Sequence, residues 1–195
     1  MAINRLRAVL WALVAASAIT ATGLYAYAAT RQTQNAGFGS GDYQLMTASG
    51  EAFTHDSFMG SPSMLFFGFT HCPEVCPTSL AEMASWYETL GDEARDLKAW
   101  FVTVDPERDT AEIIGDYVAW TGHVTGVTGS LEEIEKAAKA WGVYYEKVPL
   151  EGGDYTMDHT ASVFLLDENG EFQGTIAYRE NSDTALAKLR RLLAS

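Results

Sequence analysis

The sequence has few cysteines, which cross-link small domains, and few basic residues, which bind nucleic acid. It contains only two cysteines, Cys72 and Cys76, and a disulfide between residues four apart would restrain the unfolded chain little. Basic residues are also scarce, with 13 against 26 acidic ones. The resulting formal charge of −13 repels phosphate and excludes a nucleic-acid partner. Chemistry therefore explains the cysteines better than cross-linking of the fold does.

Acidic residues are absent from the first 36 positions. Residues 8–30 form an uncharged run, which as a helix would span about 33 Å and could cross the hydrocarbon core of a bilayer. This run predicts an N-terminal transmembrane anchor at residues 1–30. A cleaved signal peptide is the alternative, because Ala26-Tyr27-Ala28 has the small-x-small pattern that signal peptidase favours.

The charges around this run predict the location of the remaining chain. Arg5 and Arg7 precede the run and favour a cytoplasmic N-terminus, so we expect a single-pass protein of the bacterial inner membrane with its globular part in the periplasm. Residues 31–41 are polar and rich in glycine, as in a flexible tether. Residues 42–195 are enough for one domain.

Hydrophobic runs and helical patterns alternate beyond the tether. The predicted elements are a β-hairpin in residues 42–58, strand Met64–Phe69, helix Pro77–Leu90, strand Lys98–Val104, a helix from Asp109 to about Trp120, a helix from Ser130 through Trp141, strand Val143–Val148, hairpin strands Thr160–Leu166 and Phe172–Tyr178, and a last helix capped by Ser182 or Asp183. This order predicts an α/β thioredoxin-like fold, with a central mixed sheet flanked by helices and an N-terminal β-hairpin extension.

Both cysteines lie between a predicted buried strand and the start of a helix. A helix N-terminus favours negative charge, so we expect a lowered pKa and more thiolate at Cys76. Cys72 lies one helical turn before Cys76, so its sulfur can face the same point in space as the Cys76 sulfur. Two convergent thiolates form a soft site for Cu(I), and an imidazole as third ligand would let the site accept Cu(II) as well.

Only four histidines could supply that imidazole. His159 is the best candidate, because it directly precedes an apolar strand that should begin near the cysteine loop. Its neighbour Asp158 could orient the ring. The side chain of His71 is expected to point away from the sulfurs, and His55 and His123 have no cluster of partners.

Three segments, FTHCPEVCPTSLAEM, VTVDPERDT and MDHTASVFLLDENG, resemble in order and spacing the SCO/SenC proteins, which help to assemble the CuA centre of cytochrome c oxidase. The resemblance extends from about Phe53 to the C-terminus. It implies one copper ion on Cys72, Cys76 and His159. It also implies that the oxidase subunit carrying CuA is a partner. Other copper chaperones or thiol reductants would be further partners. Glu74 departs from the aspartate usual in that family but keeps its charge.

The loop from Asp105 to Asp109 has two interpretations. In the first, Arg108 pairs locally and Asp109 caps a helix. In the second, which the resemblance implies, the loop flanks the copper site and shapes partner docking.

A non-enzymatic copper metallochaperone is the favoured hypothesis, and a thiol-disulfide oxidoreductase or a redox or copper sensor are the alternatives. Three residues separate the cysteines, rather than the two of the usual oxidoreductase motif, and no proline follows Pro149 to serve as the cis-proline of a thioredoxin. A peroxiredoxin is excluded, because Leu65 and Phe69 stand where its proline and threonine belong. The methionines are scattered, which is typical of core packing rather than of a methionine copper site.

Overall fold

The computed structural model describes residues 37–194, together with residues 7, 11, 17 and 20–23. Most of the predicted anchor at residues 1–30 lies outside this set. No helix among the described residues is long and apolar enough to cross a membrane. Residues from Phe38 onward form one compact unit.

Between residues 37 and 194 the chain forms nine strands and four α-helices. Their bounds are β1 Leu45–Thr47, β2 Ala52–Phe53, β3 Ser63–Gly68, α1 Val75–Leu90, β4 Lys98–Thr103, α2 Ala111–Ala119, β5 Val124–Thr128, α3 Leu131–Ala140, β6 Tyr145–Pro149, β7 Tyr155–His159, β8 Ser162–Leu166, β9 Phe172–Ala177 and α4 Ser182–Leu193. Short 3₁₀ turns occupy His55–Phe58 and Gly91–Ala94.

Seven strands form one mixed sheet in the order β2-β1-β5-β4-β3-β8-β9. Strands β3, β4 and β5 are parallel, whereas β1, β8 and β9 join antiparallel. The central mixed sheet and the β1–β2 hairpin are thus confirmed. Because parallel strands end at the same edge of a sheet, the loop after β3, which carries the cysteines, lies beside the loop after β4. Strand β3 is buried along its whole length, as its apolar sequence predicts.

Two parts of the sheet arrangement differ from the sequence prediction. Strand β5 is absent from the sequence prediction because its sequence, VTGVT, has no long apolar run. Gly126 allows this strand to pack closely against Ile114, since a Cβ on Gly126 would lie 3.1 Å from the Ile114 side chain. His159 is the last residue of β7, not the residue before a strand. Strand β7 pairs with β6 in a separate two-stranded sheet.

Two predicted helix caps were also wrong. Thr110, not Asp109, caps α2, since the Thr110 side chain accepts a hydrogen bond from the Ile113 N–H. Asn181 caps α4 in place of Ser182 or Asp183. In each case an adjacent residue of similar capping chemistry takes the position. The Ser130 cap of α3 is confirmed.

The chain joins the domain at Phe38, within the predicted tether. The Phe38 ring packs edge-on against Trp141 at 5.7 Å and beside Phe172 at 4.7 Å. Gly39 has a φ of +86° and lies so close to the Trp141 ring that a Cβ would stand 2.3 Å from it. Only glycine fits there. The Gly39 N–H donates to the Ala140 carbonyl, which ties the segment to the end of α3.

Candidate metal centre

The cysteine loop begins where β3 ends, and α1 begins within it. Cys76 is the second residue of α1 and has no exposed surface, while Cys72 precedes the helix and is 8% exposed. The Cys76 N–H donates to the Cys72 sulfur over 3.3 Å, which uses one of the free N–H groups at the helix start. Between the cysteines, exposed Glu74 pairs with Arg179 at 3.0 Å. The helix start therefore gathers both sulfurs, as predicted.

Gly68 makes room for the buried sulfur. A Cβ on this residue would lie 2.9 Å from the Cys76 sulfur and 2.8 Å from the Phe101 ring. Sequence reasoning missed this residue, although a glycine at the end of a buried strand is a known sign of a close approach.

Replacement of Gly68 by alanine should therefore displace the Cys76 sulfur. We expect a loss of about 1–3 kcal/mol in the free energy of unfolding, as for other overpacked cores, together with weaker metal binding. Urea unfolding and a metal titration of the same preparation would measure both effects. Gly115→Ala in α2 is the control, because its Cβ would meet only Ala48, at 3.1 Å. Unchanged metal binding by Gly68→Ala would contradict the expected displacement.

His159 reaches the sulfurs from the β6–β7 hairpin. Its Nε2 lies 3.4 Å from the Cys76 sulfur, and its Nδ1 lies 3.0 Å from the Thr160 carbonyl oxygen. A carbonyl oxygen only accepts, so in the neutral imidazole Nδ1 carries the proton and Nε2 keeps its lone pair. The predicted orienting role of Asp158 is wrong: this exposed residue alternates with His159 along the strand and faces the other side.

The ligand atoms of Cys72, Cys76 and His159 lie within 4.8 Å of one another. Among the residues that the structure describes, this is the only such group of three or more potential ligands. Two sulfurs and one imidazole nitrogen with a free lone pair fit a soft ion such as copper. The three residues predicted from the sequence are thus brought together.

The other three histidines lie outside this group. The Nδ1 of His71 is 3.1 Å from the Thr70 hydroxyl and 4.0 Å from Asp109, on a side chain that is half exposed. His123 stacks on Tyr87 at 4.1 Å, and His55 packs beside Phe58.

The structure reverses the expected acidities of the two thiols. A hydrogen bond from the Cys76 thiol lowers the pKa of Cys72 to about 4, against an ordinary value of 9.0, and the backbone N–H groups of Glu74 and Cys76 contribute. The same bond and burial raise the pKa of Cys76. The expectation of a thiolate at Cys76 was wrong, because one shared proton stays on the buried sulfur and leaves the charge on the more exposed one.

The thiolate of Cys72 gives a pH-dependent signal in the reduced, metal-free protein. Its ultraviolet absorbance should persist as the pH falls from neutral and disappear near the lowered pKa of about 4, where the sulfur takes up a proton. Cys76→Ala removes the main cause and should move this loss towards the ordinary thiol pKa of 9.0. An unshifted titration in Cys76→Ala would contradict the assignment.

Asp109 supports the cysteine loop from beneath. This fully buried carboxylate accepts hydrogen bonds from the Thr70 N–H at 3.0 Å, the Thr70 hydroxyl at 2.6 Å and the Thr103 hydroxyl at 2.6 Å. Thr70 lies two residues before Cys72. The loop after β4 thus packs against the cysteine loop, as the resemblance implied. The role of Asp109 is not capping but holding that loop in place.

Comparison with known proteins agrees with this geometry. The model of the SCO1/SenC family matches residues 31–194. The chain belongs to the SCO1/SenC family. The mitochondrial SCO1 homolog of Homo sapiens is 39% identical over 136 residues, which are 68% of this chain and 45% of the human one. The chain therefore matches less than half of that relative's length.

Solved family structures share the fold. ScoI of Bradyrhizobium japonicum with copper bound is 41% identical, with a TM-score of 0.72, and the match covers 78% of this chain and 99% of that one. ScoI of Arabidopsis thaliana with copper bound is 31% identical, with a TM-score of 0.75, covering 80% and 98%. These similarities confirm the predicted thioredoxin-like architecture of a mixed sheet flanked by helices.

Proposed function

We propose that this SCO1/SenC protein binds one copper ion through Cys72, Cys76 and His159 and delivers it to the CuA site of cytochrome c oxidase. The observation that carries the proposal is the convergence of three soft ligand atoms within 4.8 Å. The copper held by family members of similar fold supports it. The oxidase subunit as acceptor rests on the family resemblance of the three sequence segments.

We also propose that the protein is anchored in a membrane. Residues 1–30 would anchor the protein in the bacterial inner membrane, residues 31–41 would link the anchor to the domain, and residues 42–195 would face the periplasm. The positive charges of Arg5 and Arg7 before the uncharged run support this orientation.

Removal of the imidazole tests the three-ligand site. In His159→Ala, Cu(II) binding to the reduced protein should weaken by more than the roughly 100-fold that loss of a supporting group causes at metal sites. The measurement is a copper titration followed by sulfur-to-copper absorption bands. His123→Ala is the matched control, because His123 stacks on Tyr87 instead of facing the sulfurs. Unchanged Cu(II) affinity in a folded His159→Ala protein would exclude the site.

A thiol-disulfide oxidoreductase is the second candidate, and the lowered pKa of Cys72 favours it. The Cys72 thiolate would attack a disulfide of the target and form a mixed disulfide. The leaving thiolate would take the proton of Cys76, and the Cys76 thiolate would then attack the Cys72 sulfur. The second target sulfur would leave as a thiolate and take a proton from water, so the target would gain two electrons and become a dithiol, and the chain would hold a Cys72–Cys76 disulfide.

This second activity needs no metal and no imidazole ligand. Metal-free, reduced protein would be mixed with a disulfide-bonded peptide carrying the two CuA-site cysteines, and the release of target thiols would be measured. Reduction by both wild type and His159→Ala would support an oxidoreductase. Absence of reduction would exclude an oxidoreductase that acts on this disulfide.

A further inference from the structure

The hairpin that carries His159 has little support from the main sheet. Strands β6 and β7 pair only with each other, and an isolated two-stranded hairpin is at best marginally stable in water. At its base the Thr160 N–H donates to the Tyr144 carbonyl. The position of the imidazole therefore depends on the contacts that hold the hairpin against the domain.

One face of β7 makes those contacts. Tyr155, Met157 and His159 alternate along the strand, so their side chains project from the same face. Met157 is buried, the Tyr155 hydroxyl donates to Asp105 at 2.8 Å, and His159 reaches the Cys76 sulfur. The strand is thus fixed at its two ends, by Asp105 at one and by the sulfurs at the other.

Arg108 holds the Tyr155 end in place. Its Nε donates to Asp105 at 2.5 Å, and its Nη1 donates to the Tyr155 carbonyl at 2.9 Å. Its guanidinium carbon lies 3.7 Å from the centre of the Tyr155 ring. The Arg108 side chain is 17% exposed and that of Asp105 is fully buried, so water competes little for these bonds. An ion pair between Lys147 and Glu107 is a further contact, but its side chains are about half exposed.

We propose that Arg108 is a positioning residue for the metal centre: by joining Asp105 to Tyr155 it docks the β6–β7 hairpin and so fixes the reach of His159. The inference rests on the proposed three-ligand site. Thiolates are the ligands that soft Cu(I) prefers, whereas an imidazole nitrogen also suits the harder Cu(II), so loss of the imidazole should weaken Cu(II) binding more. Arg108 therefore stabilises the Cu(II) complex more than the Cu(I) complex, although it touches neither sulfur nor metal.

Two variants test this role without touching a ligand. Arg108→Lys keeps the positive charge but loses the planar fork that binds Asp105 and Tyr155 together. Tyr155→Phe keeps the ring beneath Arg108 and loses only the hydroxyl bond to Asp105. Arg190→Lys is the matched control, because Arg190 forms an exposed ion pair with Glu93 outside the hairpin.

The expected result for Arg108→Lys is a Cu(II) affinity about 10-fold lower, as for other groups that orient metal ligands, with a changed sulfur-to-copper spectrum. Cu(I) affinity, measured by competition with a chromophoric chelator, should stay close to wild type. Amide hydrogen exchange within 145–149 and 155–159 should be faster in the metal-free variant. Tyr155→Phe should show the same pattern more weakly, and it tests the inference even if Arg108→Lys folds poorly.

Equal loss of both copper affinities, or unchanged Cu(II) affinity with unchanged exchange in the hairpin, would overturn the inference. His159→Ala in the same series separates this failure from failure of the proposed function. If His159→Ala loses Cu(II) binding and Arg108→Lys does not, the three-ligand site stands and the positioning role falls. If His159→Ala keeps wild-type Cu(II) affinity, both fall.

Discussion

Cys76→Ser should abolish stoichiometric binding of copper in either oxidation state. The serine hydroxyl is a hard, neutral donor, and one remaining thiolate with an imidazole cannot replace the two sulfurs that copper prefers. The loss should exceed the roughly 100-fold effect of removing a group outside the ligand set. Equilibrium competition for Cu(I) and titration with Cu(II) would measure it.

The fold should survive this change. Cys76 is fully buried, but its sulfur lies 3.4 Å from the His159 Nε2, so a hydroxyl there has a hydrogen-bond partner. Ser79→Ala, one turn further along α1 and also buried, is the control for general disturbance of the helix. A folded Cys76→Ser protein that still bound one copper ion tightly would contradict a site built on both sulfurs.

Asp109→Ala should strongly destabilise the domain. The substitution leaves the Thr70 N–H and the hydroxyls of Thr70 and Thr103 without their buried acceptor. Each buried donor without a partner costs about 1–3 kcal/mol, so we expect the free energy of unfolding to fall by about 3 kcal/mol or more. Urea unfolding of the metal-free protein would measure the loss.

Copper binding should weaken in the same variant, because Thr70 fixes the start of the cysteine loop. Asp109→Asn keeps the shape but turns one oxygen into a donor, so it should lie between wild type and Asp109→Ala. Asp116→Ala, at an exposed position of α2, should have no measurable effect on either quantity. Similar stabilities of Asp109→Ala and Asp116→Ala would show that the buried bonds contribute little.

The ligand residues could be predicted from the sequence because their signals are local. The apolar run before Cys72 and the proline after Cys76 place both sulfurs at a strand-to-helix junction, and the segment around His159 follows the family pattern. The fold class followed similarly, from the alternation of buried strands and helices.

The features that the sequence did not predict depend on contacts between distant segments. Thr70 and Asp109 are 39 positions apart, so nothing near Asp109 indicates that it accepts bonds from the cysteine loop, and its spacing to Glu112 suggested a cap instead. The thiol acidities depend on which sulfur is deeper, which the helix position alone does not determine. The β6–β7 hairpin combines partly exposed residues whose burial depends on Asp105 and Arg108.

The junction at Phe38 bears on how the domain can be approached. Phe38 packs beside Phe172, the first residue of β9. Across the sheet, Phe172 is paired with Leu166 of β8, and Leu166 is paired with Ser63 at the start of β3. Phe38 therefore lies near the end of the sheet at which β3 begins. The cysteine loop follows Gly68 at the other end of that strand, about 17 Å away. In a domain immobilised at Phe38, the cysteine loop would therefore lie at the opposite end of β3 from the attachment, so a donor or acceptor of the ion could approach the loop without crossing the point of attachment.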